Sequence, residues 1–152
     1  MNGIVKAICI SPQAGVQMQE ITEVEALAGQ GLKGDRYATG EGSYNKGKVG
    51  KRQVTFMNVI LFEGSGFEFK ESRRNIFVEG VELMKLINKE FQIGNARFRG
   101  VKYCDPCTRP NNLCGKKESF KKAFFDRGGL IAEIIKSGVI KVGDQLIPPK
   151  DN

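Results

Sequence analysis

The chain has 152 residues, with 24 Lys and Arg against 17 Asp and Glu for a net charge of +7 at neutral pH, and a sequence pI near 9.3. Hydrophobic residues at 40 % and charged residues at 27 % describe one folded domain with its own core and exclude a disordered or fibrous chain. Histidine is absent, which excludes His-ligated zinc, Ser-His-Asp hydrolysis and imidazole acid or base catalysis.

Residues 3–10 carry Ile4, Val5, Ala7, Ile8, Cys9 and Ile10 without helical spacing, and predict a strand buried on both faces that Ser11-Pro12 ends. This run is too short for a secretory signal or a membrane span, so a cytoplasmic protein without membrane partners is expected. A second strand is predicted over 16–21, extended after a bend by 24–27. In 29–50 seven of 22 residues are glycine, interspersed with Lys33, Arg36, Lys46 and Lys48. That composition predicts a long, mobile, basic loop that brings backbone amides close to an anion. Strand character returns over 52–62 and again over 75–78.

Residues 96–103 alternate as Ala96 and Phe98, then change phase to Val101 and Tyr103 across Gly100, which predicts a strand with a glycine bulge and hence a sheet able to curl. Two segments share a pattern hinged at glycine, 91–98 at Gly94-Asn95 and 140–147 at Gly143-Asp144. Both read as tight strand-to-strand turns. A helix is predicted around Phe120, Ala123 and Phe124, with Glu118 able to pair with Lys122 and Gly128-Gly129 as its stop. Residues 130–136 fit either a buried strand or a helical stretch.

Four cysteines occur, and Cys104, Cys107 and Cys114 cluster closely, a spacing that favours metal or thiol chemistry over a disulfide framework. Cys9 reads as a small core residue. Cys104-Asp-Pro-Cys107 has the form of a redox pair, but the following Thr108-Arg-Pro-Asn-Asn-Leu113 reads as loop rather than as part of a βαβ unit. Structural zinc has three thiolates and needs Cys9 or Asp105 as a fourth ligand. In a third reading, Arg97, Arg99, Lys102 and Arg109 lower a thiol pKa and make the site reactive; the plainer alternative makes Arg97 and Arg99 a solvated strand face. Residues 42–48 have P-loop spacing, but Val49 stands where magnesium binding needs Ser or Thr. Charge is concentrated, with net +4 over 33–52, net +6 over 97–122 and net −2 over 1–30. Such basic segments suit a small phosphorylated ligand; the lack of aromatics interleaved with the basic residues disfavours nucleic acid.

Gly31-Leu-Lys-Gly-Asp-Arg36, Arg52-Gln-Val-Thr55, Arg73-Arg-Asn-Ile-Phe-Val-Glu-Gly80, Gly94, the cysteine pair, Arg127-Gly-Gly129 and Gly138-Val-Ile-Lys-Val-Gly-Asp144 together resemble the MOSC domain, named for the C-terminal part of molybdenum cofactor sulfurases. The resemblance implies one mainly β domain, core about 3–147, built as a compact β-barrel with a few short helices. It further implies binding of the molybdenum cofactor (molybdopterin), or carriage of sulfur as a persulfide for metal-sulfur centres. Cys107 matches the cysteine that carries the persulfide or ligates the metal. Arg73 and Asn75 match the family's R-x-N element and Arg36 its Gly-Asp-Arg loop; Lys48 of the glycine-rich loop and Arg109 beside the thiols complete the expected set. Tyr37 stands where many members have histidine, and Cys114 lies outside the pattern. The pyridoxal-phosphate desulfurase part of the fused sulfurases is not matched here, so no pyridoxal phosphate is expected, and a separate cysteine desulfurase or a molybdoenzyme is the expected partner. The competing expectation is a small zinc-stabilised or basic RNA- or phosphate-binding module without catalysis.

Overall fold

A computed structural model describes residues 2–40, 50–106, 109–115, 119–125 and 127–150, without the side chains of 109, 111 and 112. Its strands are β1 (Gly3–Ile10), β2 (Gln19–Ile21), β3 (Glu23–Leu27), β4 (Gly31–Leu32), β5 (Val54–Asn58), β6 (Ile76–Glu79), β7 (Glu90–Ile93), β8 (Ala96–Tyr103), β9 (Leu130–Lys136), β10 (Gly138–Lys141) and β11 (Gln145–Ile147). Two short helices, α1 (Arg109–Cys114) and α2 (Phe120–Ala123), accompany 3-10 turns at Arg36–Thr39, Val59–Phe62, Phe69–Ser72 and Leu83–Leu86. Seven strands close in the order β1-β11-β7-β8-β9-β5-β6 and back to β1, with β2 continuing the sheet beyond β1. All these pairs are antiparallel except β5 with β6. A smaller sheet, β10-β3-β4, flanks the barrel. The expected mainly β barrel is therefore the observed fold.

Strand alternation sorts the apolar residues into two cores. Val5, Ile8, Phe56, Ile76, Val78, Phe91 and Phe98 fill the barrel, where Phe91 and Phe98 stack at 5.5 Å and Phe56 meets Phe98 edge-on at 5.6 Å. The opposite faces of the same strands supply Ala7, Cys9, Met57 and Phe77 to a second core, covered by Phe62, Phe67, Phe120 and Phe124. Only the Ala7–Cys9 half of β1 is buried on both faces, because the outer core ends there and Ile4 and Lys6 stay exposed.

The bulge in β8 is present as register shifts between Arg97 and Phe98 and between Gly100 and Lys102. Gly100 is required for close approach: a Cβ there would collide with the Leu86 carbonyl. The Gly94 turn joins paired strands, β7 and β8. Its echo at Gly143 joins strands of different sheets, since β10 pairs with β3 and β11 with β7 and β1. Residues 130–136 resolve as β9, whose partners β5 and β8 complete the wall. Three predicted details change. The strand over 52–62 stops at Asn58 and turns into 3-10 structure, the 109–114 stretch is helix instead of loop, and 31–40 is packed rather than mobile. The P-loop-like residues 42–49 and the Glu118–Lys122 pair lie outside the described residues, because 41–49 and 118 do.

Burial pushes the Cys9 thiol up to about 12 from 9.0, with Glu20 adding to the rise and Lys70 opposing it. The folded-state value lies above the unfolded one, so this contribution to stability is intact below pH 9 and is lost as pH climbs from 9 towards 12. Urea titrations should show the wild type losing stability over that window faster than Cys9→Ala, by about 1.4 kcal/mol per pH unit; parallel curves would contradict the assignment.

Candidate functional site

The Gly-Asp-Arg loop folds inward because Asp35 caps the turn Arg36–Thr39, accepting from Tyr37 N at 3.3 Å. Its Oδ1 also accepts from Ser11 N at 3.0 Å and from Arg36 Nη1 at 3.2 Å. Burial pushes the Asp35 carboxyl above its ordinary value, while Arg36, the Ser11 and Tyr37 amides and Asn75 pull it back without cancelling the rise. Arg36 is itself buried. Its Nη2 donates to the Tyr37 hydroxyl at 3.1 Å and to the Arg73 carbonyl at 3.0 Å, and its guanidinium lies 4.3 Å from the Tyr37 ring centre.

The R-x-N element follows the turn Phe69–Ser72, and Arg73 sits there in left-handed backbone, φ 65, a conformation that costs a non-glycine residue about 1–2 kcal/mol. The Arg36 bond to its carbonyl and its own Nη1 donating to the Val16 carbonyl help hold it. Asn75, fully buried, joins three strands: Oδ1 accepts from Thr55 N at 3.0 Å and Thr55 Oγ1 at 3.1 Å, and Nδ2 donates to the Cys9 carbonyl at 3.1 Å. Arg36 and Asn75 thus bond to the chain's own groups, and Arg36 holds the backbone of Arg73.

Arg74, absent from the sequence expectation, clamps the entry to the cysteine loop. It is buried, and it donates to the carbonyls of Gly128 at 2.8 Å and Asp105 at 3.2 Å. Cys104 is fully buried; its amide donates to the Gly129 carbonyl at 2.9 Å. Gly128 is more than a helix stop, since a Cβ there would strike the Cys104 carbonyl. The cation beside Cys104 is Arg52, which donates from Nη2 to the sulfur at 3.4 Å and from Nε to the Tyr37 hydroxyl at 3.3 Å. Burial lowers the Arg52 pKa, but Tyr37 and Cys104 outweigh it and hold the group above its ordinary value. Arg97 instead pairs with Glu90 at 3.7 Å on the exposed face of β8, as the solvated-face alternative has it, while Arg99 is half-buried and Lys102 exposed.

Cys107 and Lys48 lie outside the described residues, and Arg109 is described only as the first residue of α1. Cys114, at the end of α1, is half-buried and lines a cleft of about 300 Å³ with Gly15, Gln17, Lys70 and Arg73. Of the matched residues that are described, Arg73 is the one that reaches this cleft. Among the described residues no three His, Cys, Asp or Glu side chains gather as a metal site; the expected zinc set includes Cys107, which lies outside those residues. Among the same residues no helix is long and apolar enough to cross a membrane.

The model of the MOSC domain matches residues 52–147, more than half of the chain. The fold is similar to the YuaD protein from Bacillus subtilis, with TM-score 0.80 at 14 % identity over 96 % of this chain and 94 % of that one. It is also similar to YiiM from Escherichia coli, TM-score 0.66 at 14 % identity over 98 % and 71 %, and YiiM from Geobacillus stearothermophilus, TM-score 0.69 at 13 % identity over 97 % and 75 %. A search of the curated proteins returns no match.

The buried ion pair should behave as a unit. Arg36→Met leaves the Asp35 carboxylate without its charge partner and should cost about 3–5 kcal/mol in urea unfolding, whereas Asp35→Asn with Arg36→Met should recover a large part of that loss. Additive losses would show that the pair is not coupled.

Proposed function

The chain belongs to the MOSC domain family, which is associated with molybdenum cofactor binding, and on that premise we propose that it binds this cofactor at the Arg73 cleft or carries sulfur for such a centre on Cys107. The observation that carries the reading is the 3.0 Å bond from Arg36 to the Arg73 carbonyl. It joins the Gly-Asp-Arg loop to the R-x-N element, so two segments matched separately in the sequence act as one support for Arg73.

The cleft carries two cations against one carboxylate, Glu71, a balance that suits an anionic group. Lys70 and Arg73 offer positive charge to a pterin phosphate, and Cys114 adds a soft sulfur to the same wall. When bound, the cofactor supplies a molybdenum centre held by pterin dithiolene sulfurs. The chain's own part is to hold the anion and keep a thiol available. Arg52 and Arg74 fix residues 104 and 105, from which the chain leads directly to Cys107. Lys48 and Arg109 are proposed to add charge around the ligand and the thiol.

In the carrier version the Cys107 thiolate attacks the outer sulfur of a persulfide on a cysteine desulfurase. A new S–S bond forms on Cys107, the donor's S–S bond breaks, and the donor cysteine leaves as thiolate, with no net oxidation. Lowering of a thiol pKa by nearby cations raises the fraction able to attack.

Three measurements test the reading. Mass spectrometry after incubation with a cysteine desulfurase and cysteine should find added sulfur on Cys107 and none in Cys107→Ser; an unmodified wild type would remove the carrier version. Protein purified from a molybdenum-competent host should retain pterin and molybdenum. Arg73→Gly, which removes the guanidinium while suiting the left-handed backbone, should stay folded yet lose cofactor retention by about tenfold. Undiminished retention would detach Arg73 from the site.

A further inference from the structure

We propose that the outer edge of β2 and the groove beside it receive an extended, basic segment of a partner protein by strand addition. The hydrogen-bond register makes that edge available. Cys9 N donates to the Asn75 carbonyl at 2.7 Å and the Cys9 carbonyl accepts from Asn75 Nδ2 at 3.1 Å, so both backbone groups of Cys9 face away from β2. Glu20 stands opposite Cys9 in the β1–β2 pair. In an antiparallel pair two such opposed residues point their backbone groups outward together, so the Glu20 N–H and C=O point away from β1. Among the described residues β2 ends the sheet; the Thr22 carbonyl beyond it already accepts from Val142 N at 2.9 Å, so the open pair is that of Glu20, the pattern that an incoming strand completes.

The space beside the edge suits a peptide. Residues 16–21 form one side of an open groove of about 1190 Å³, larger than the range of about 300–1,000 Å³ usual for small ligands. Met18, Phe62 and Phe67 lie buried along it, with Ile21, Val59 and Phe69 partly exposed. Such surfaces accept alternate apolar side chains of an extended segment.

Charge selects the occupant. The groove carries Glu20, Glu63 and Glu68 against Lys70, which pairs with Glu68 at 3.8 Å. This acidic rim on a chain of net charge +7 attracts a basic segment, while two whole copies of the chain repel one another. The groove shares Gln17, Met18 and Lys70 with the Arg73 cleft, so a docked segment lies next to the candidate site. The docking proposal stands independently of what that cleft binds.

The test uses the full chain and a synthetic peptide alternating lysine with valine or leucine, followed by fluorescence anisotropy and by amide NMR. The lysine peptide should bind about tenfold or more tightly than one with glutamate in place of lysine, with shifts centred on Gln19, Glu20 and Ile21 and slowed exchange of the Glu20 amide. Glu20→Pro removes an outward donor and leaves the ladder to β1 intact, so it should keep the unfolding midpoint within a few degrees and lose binding. Should that variant fail to fold, Glu63→Lys with Glu68→Lys should abolish the preference for lysine. Binding indifferent to charge, shifts centred elsewhere, or full affinity in a folded Glu20→Pro protein would overturn the proposal. So would a concentration-dependent dimer abolished by Glu20→Pro, which would give the edge to a second copy.

Discussion

A guanidinium buried in a protein must be hydrogen-bonded and is stabilised further by a counter-charge, and Arg36 is where this chain supplies both. Asp35 supplies the charge, Tyr37 the ring and hydroxyl, and Arg73 a carbonyl from a distant segment. Each partner is fixed in turn: Asp35 by Ser11, Tyr37 by Arg52, and Arg73 by the Val16 carbonyl. Three segments that share no sequence proximity are thereby held together. Removing the charge from either side leaves the other stranded in a low-dielectric interior, so the loops are ordered together or not at all.

The cysteine loop is attached to this frame from two sides. Arg52 reaches Cys104 from the strand-entry side, and Arg74 reaches the Asp105 carbonyl from the R-x-N side. The glycine pair at 128 and 129 lets backbone pack where a side chain would collide with Cys104 and with Phe56. Rigid scaffolding close to a reactive segment is the usual condition for placing a functional group accurately. Here Arg74 bonds to carbonyls and Arg52 to a sulfur and a hydroxyl, partners that orient a guanidinium without requiring a carboxylate for each charge.

Much of the barrel was legible in the sequence because strand features are local. β-branched runs mark β1, a phase change across Gly100 marks the bent β8, and Gly94 and Gly143 mark turns. What local reading could not supply was pairing. The two glycine turns look alike in sequence, yet one closes a hairpin and the other passes the chain between sheets. The glycine-rich stretch over 31–40 reads as mobile because its ordering depends on Ser11 and Arg73, far away in sequence. The helix Arg109–Cys114 was read as loop from its Pro and Asn content, although proline suits a first helical turn. In the candidate site, Arg73 and Asn75 stand out in the sequence through the family pattern, whereas Arg74 carries no local signal, since its partners Gly128 and Asp105 lie far along the chain. Arg52 was likewise invisible as the cation beside Cys104.

The parallel pairing of β5 with β6 has an architectural consequence. A parallel pair cannot be joined by a tight turn, so residues 59–75 must travel outside the barrel before β6 begins. That detour supplies Phe62, Phe67 and Phe69 to one surface and delivers Arg73 to another. Because residues 59–72 of the crossover are tied to no strand register, while Arg73 and Asn75 at its end are bonded to the frame, insertions or deletions before Arg73 could reshape both surfaces while the barrel keeps its staves, making that stretch the natural place for diversification by descent or by design.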